Sequence, residues 1–154
     1  MKTIDFSFDN VGGMSRLWLI GADNVLRLDR NFVQDVWRLS LRTREEVYRL
    51  DTTQGDYSFT ERLTEDEKGR RYEVFIGGFV PRLDHVCEVE RLERGAWLAL
   101  HIDGNGCILL SGTPSFPLRF SGQKTQKPSN GTNFELRGTL PGPSLRVDGR
   151  AFYL

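Results

Sequence analysis

The feature that most constrains this chain is an alternation of apolar and polar residues at period two, repeated over many short stretches. Ile4, Phe6 and Phe8 alternate in KTIDFSF, Trp37, Leu39 and Leu41 in VWRLSLR, and Tyr72, Val74 and Ile76 in RRYEVFI. Tyr57, Phe59 and Leu63 continue the series, followed by Leu118 and Phe120 and then by Phe134 and Leu136. Side chains of a strand point to opposite faces in turn, so this pattern reads as half-buried strands with one face on a core. Gly, Asp, Asn and Pro clusters separate the stretches. They are the residues that tight turns of antiparallel sheets require. The fold class is therefore all-β and mainly antiparallel, a β-sandwich or flattened barrel.

One segment departs from period two. In DHVCEVERLER (Asp84 to Arg94), Val86, Val89 and Leu92 recur at helical spacing. Asp84 is a suitable N-cap, Arg91 and Arg94 suit the negative end of the dipole, and Gly95 suits a left-handed C-cap. One short flanking helix is expected near 84–94; an edge strand over HVCEVERL stays open as the alternative.

The chain has 154 residues, a length that suits one domain spanning 1–154 and burying its own core without staples. Two stretches look like extended surface loops: the charged TEDEKGRR at 64–71 and the polar SGQKTQKPSNGTN at 121–133. Removing Gly122 to Thr132 would, on this reading, leave the fold intact. No apolar run approaches the ~20 residues that span a bilayer, and the opening residues lack the apolar stretch of a secretory signal. Synthesis in the cytosol, away from membranes, is the expectation.

Chemistry is sparse. Four residues could ligate zinc: His85, Cys87, His101 and Cys107. Their spacing matches no zinc pattern, and both cysteines are expected to be reduced and metal-free. His101 is the one base worth naming for nucleophilic catalysis, and no G-x-S-x-G elbow accompanies it. Phosphate-binding glycine patterns are absent. The chain is thus read as a non-enzyme that needs no cofactor. Lys plus Arg equals Asp plus Glu, 21 each, so no net field draws nucleic acid. Arg42, Arg44 and Arg49 are diluted by Glu45, Glu46 and Asp51, and sequence-specific nucleic-acid reading is not expected.

The run WLALHIDGNGCILLSGTPSFPLRFSG (Trp97 to Gly122) leads through a Lys-containing polar loop to NGTNFELRGTLPGPSLRV (Asn130 to Val147). This pattern resembles small structural proteins of tailed phages and prophage-like elements of gut bacteria. The opening IDFSFDNVGGMSRLWLIGADNVLRL is similar to the N-termini of such proteins. The resemblance implies a virion subunit of tail-tube, tail-completion or connector type, assembled in the host cytoplasm and then carried in the particle. It supplies no catalytic residue.

With that reading, partners are copies of the chain in a ring and other virion proteins. Seventeen Arg against four Lys suit bidentate pairs across an interface. The interface residues named from the two loops are Lys68, Arg70, Arg71, Lys124 and Lys127. A rival class is a small ligand-binding β module, for example for a carbohydrate, with Trp18 or Trp97 lining a groove.

Overall fold

A computed structural model describes residues 14–43, 47–53, 57–81, 86–102, 108–125 and 131–147. Among them are eleven strands and one α-helix. The strands are β1 (Met14–Gly21), β2 (Val25–Asn31), β3 (Val36–Leu41), β4 (Val47–Thr53), β5 (Ser58–Asp66) and β6 (Gly69–Pro81). Helix α1 (Val86–Arg94) follows, and then β7 (Trp97–Ile102), β8 (Ile108–Ser111), β9 (Arg119–Thr125), β10 (Gly131–Leu140) and β11 (Leu145–Arg146).

The strands form three open sheets with antiparallel ladders. One has five strands in the order β11-β8-β7-β1-β4, one has four in the order β5-β6-β10-β9, and β2 pairs with β3. The sandwich reading holds; among the described residues the sheets do not close into a barrel. The layering goes beyond two sheets, however. Leu17 and Leu19 of β1 and Ala99 of β7 pack with Val74, Ile76, Phe134 and Leu136 of the four-stranded sheet. On the opposite face of the same strands, Trp18, Ile20, Leu98 and Leu100 pack with Leu39 and with Leu28 and Trp37 of the β2–β3 hairpin. The five-stranded sheet is thus the middle layer. A strand buried on both faces cannot alternate, which is why β1 reads LWLI and β7 reads WLAL.

Helix α1 closes one side of the first core with Leu92, while Val89 packs against it. A side chain at Gly122 would come within 3.0 Å of Val89 Cγ1, so this glycine lets helix and β9 approach. At the helix end, Trp97 Nε1 donates to the Leu92 carbonyl at 2.6 Å. A Cβ on Gly95 would lie 2.5 Å from the Trp97 ring. That glycine is therefore needed for close approach. The expected cap Asp84 lies outside the described residues, as does the strand expected at 4–8.

Two expectations need correction. Residues 64–71 are not an extended loop: β5 and β6 stay paired through Thr64↔Arg71, Glu65↔Arg70 and Asp66↔Gly69. The charges mark a hairpin wetted on both faces and crossed by ion pairs, and Gly69 at φ +107° makes the turn. Residues 121–125 and 131–133 are likewise strand, with Gly122 opposite Phe134 and Lys124 opposite Thr132. Only 126–130 lies outside the described residues, so removing Gly122 to Thr132 would strip a ladder. Gly77 and Gly78 pair in regular register with Glu135 and Phe134.

Candidate assembly interface

The β2–β3 hairpin is an arm whose base and tip are both fixed by short polar side chains. At the base Asn24, 2% exposed, closes a two-way bridge to Thr43. Its Nδ2 donates to the Thr43 carbonyl at 2.8 Å, and its Oδ1 accepts from Thr43 N at 2.9 Å. At the tip, Asn31 Oδ1 accepts from Val33 N at 3.1 Å and from Gln34 N at 3.4 Å. An Asn side chain that bonds the backbone two residues on makes its own turn. Asp35 takes φ +52°, a conformation Asp tolerates better than most residues. Across the neck Arg30 donates to Asp35 Oδ1 from Nη2 at 2.7 Å and from Nε at 3.2 Å, and its guanidinium lies 5.1 Å from the Phe32 ring centroid.

What this turn presents is apolar: Phe32 is 80% exposed and Val33 95%. Single exposed apolar residues are ordinary. Two adjacent ones on a turn pre-shaped by four polar contacts are a ready contact, because little entropy remains to be lost on docking. Sequence reasoning passed over this site. Its signal is NFVQD, two apolar residues enclosed by turn formers where a neutral turn would carry polar ones.

The residues named from sequence fall elsewhere. Arg70 Nε pairs with Glu65 at 3.4 Å and Arg71 Nη2 with Asp66 at 2.8 Å. Both guanidiniums thus have partners within their own hairpin, and exposed pairs of this kind contribute little. Lys68 sits in the turn, where its backbone N donates to Asp66 Oδ1 at 2.8 Å. Lys124 is in β9, its side chain outside the described residues, and Lys127 lies outside them altogether. Trp18 and Trp97 are core residues, 3% and 6% exposed, so neither lines an open groove.

The structure also builds a contact that the sequence did not reveal. His101 Nε2 lies 2.9 Å from Ser111 Oγ, Ser111 Oγ lies 2.7 Å from Ser144 Oγ, and Ser144 Oγ donates to Glu61 Oε1 at 2.8 Å. Ser144 N donates to the same oxygen at 2.6 Å. Each hydroxyl has one proton, so with Ser144 donating to Glu61, Ser111 must donate to Ser144 and accept from His101 Nε2–H. A general base would accept from the nucleophile, which is the reverse. His101 and Ser111 are also buried, 1% and 0% exposed. The chain acts as a brace from β5 to the middle sheet. His101 packs beside it against Phe59, ring centroids 4.5 Å apart. Near it the Tyr57 hydroxyl is buried with no partner among the described residues, and burial pushes its phenol above its ordinary value.

No group of three or more His, Cys, Asp or Glu among the described residues is placed to hold a metal. Cys107 lies outside them, and Cys87 is known only by its place in α1. No described helix is long and apolar enough to cross a membrane. Compared with known proteins, the chain matches no family model, no curated protein and no solved structure.

Proposed function

We propose that the chain is a structural subunit of a phage-like particle, of tail-tube, tail-completion or connector type, and that it works by docking to copies of itself or to neighbouring particle proteins. The observation that carries this reading is the pre-shaped apolar tip of the β2–β3 arm, with Phe32 and Val33 in water. An arm on one face of a subunit that meets a different surface on the next makes a head-to-tail contact, and such contacts close into rings or continue as tubes. Open sheets add further docking sites, because β4 and β5 each end a sheet among the described residues. The resemblance of the Trp97–Gly122 and Asn130–Val147 runs to phage structural proteins supplies the setting. The reading is non-enzymatic: the one serine–histidine contact described is buried and polarised away from nucleophilic attack.

Mass photometry of the full chain at rising concentration, alone and co-expressed with the products of its flanking genes, tests this. Discrete rings, stacked tubes or a stable complex with a neighbour are the expected result. A monomer under all of these conditions overturns the proposal.

A further inference from the structure

The outer face of the four-stranded sheet holds a trough that runs across the strands. Val74, Ile76, Phe134 and Leu136 point into the core, so their odd-numbered neighbours point out. Ser58, Gly77, Glu135 and Ser121 are successive cross-strand partners and form one outward row spanning all four strands. Three of those four side chains are tiny or absent. The row on one side is taller, with Phe75 opposite Arg137, and the row on the other has Phe79 and Gln123 flanking Asn133. The depression has a volume of about 380 Å³, within the range of small-ligand sites. Four strands set its length at about 14 Å.

The two aromatic rings reach over glycines. Phe75 Cζ is 3.0 Å from where a Gly77 Cβ would be, and Phe79 Cζ is 2.4 Å from where a Gly131 Cβ would be. The Arg137 guanidinium sits 5.1 Å from the Phe75 centroid and pairs with Glu135 at 3.1 Å. The charged residue of the lining is the carboxylate Glu135, offset from beside the trough by Arg137, which argues against phosphate or another anion as ligand. The lining is not an apolar patch of the kind a protein partner would cover. A carboxylate, two amides and two hydroxyls converge beside an aromatic ring. Planar groups that offer paired donors and acceptors match neighbouring hydroxyls of a sugar, and an aromatic ring matches its C–H face.

We propose that this trough is a binding site for a short stretch of neutral oligosaccharide, with Phe75 stacking on a sugar ring and Glu135, Asn133 and Gln123 holding hydroxyls. The site is separate from the arm and does not rest on the assembly reading; a monomer binds equally well.

The test is a ¹⁵N-resolved NMR titration of the full chain with neutral hexasaccharides of glucose, xylose, mannose and N-acetylglucosamine, and with heparin hexasaccharide and inorganic phosphate as anionic probes. Saturable shifts at the Gly77, Gly78, Ser121 and Glu135 amides with at least one neutral sugar are expected. Phe75→Ala and Glu135→Gln each weaken binding about tenfold. Ser121→Trp, at an exposed edge-strand position, blocks the trough without touching the core and abolishes the shifts. Silence with every neutral sugar, shifts only with the anions, or binding unchanged in Ser121→Trp overturns the proposal.

Discussion

Replacing Ser111 by Ala tests whether the His101–Ser111–Ser144–Glu61 chain braces the sheets. Ser144 keeps its donation to Glu61 and, being half-buried, finds water for what it loses. His101 is only 1% exposed, so its Nε2–H loses the Ser111 acceptor where water does not reach. A lost bond contributes about 1 kcal/mol, and a stranded buried donor raises the cost towards 3 kcal/mol, so about 2–3 kcal/mol is expected. With a urea m-value on the order of 2 kcal/mol per M, the unfolding midpoint falls by about 1–1.5 M. His101→Leu removes the stranded donor, so the double variant should cost less than the sum of the singles, with coupling of about 1 kcal/mol or more. A cost for Ser111→Ala below about 0.5 kcal/mol, or single effects that add within about 0.5 kcal/mol, refutes the brace.

Four further substitutions probe other parts of the molecule. Tyr57→Phe deletes a buried hydroxyl with no partner among the described residues, and should leave stability at neutral pH unchanged or raised by about 1 kcal/mol. The same residue gives a pH test. Because burial raises its phenol above the ordinary 10.0, its contribution is intact below that pH and lost as pH rises past it, so denaturant titrations should show Tyr57→Phe losing less stability at alkaline pH than the parent. Equal slopes would contradict this. Gly95→Ala drives a methyl group into the Trp97 ring and should cost about 1–3 kcal/mol by thermal melt, with altered Trp fluorescence. Arg70→Ala and Arg71→Ala each remove an exposed pair within the hairpin; each should cost at most about 1 kcal/mol and leave the assembly state unchanged, as light scattering would show.

Where one sheet face meets water and the other meets a core, the sequence was a sufficient guide. Val74 and Ile76, or Phe134 and Leu136, alternate with polar neighbours, and the strands lie where period two puts them. The α1 segment stood out for the same reason, through a change of period. Two situations defeated that signal. LWLI and WLAL do not alternate because both of their faces are buried, and those runs are the trace of the third layer. At the hairpin end of β5 and β6 both faces are wet, so nothing apolar marks the strand and charged residues pass for a loop. The sites were hidden for other reasons. His101 and Ser111 lie ten residues apart on paired strands, whereas Glu61 reaches Ser144 from 83 residues away. The trough depends on small residues falling in one row across four strands, a register that no single stretch of sequence contains.

On the function proposed, the apolar tip of the β2–β3 arm docks on another subunit. Sedimentation equilibrium of the parent chain and of Phe32→Ser/Val33→Ser measures it directly. Both side chains are exposed in the free chain, so polar replacement spares the core and the variant should melt like the parent. Burying a Phe and a Val contributes about 3–5 kcal/mol to association, so the variant should associate roughly 100- to 5000-fold more weakly. An oligomer of unchanged size and affinity in the folded double variant would contradict the account.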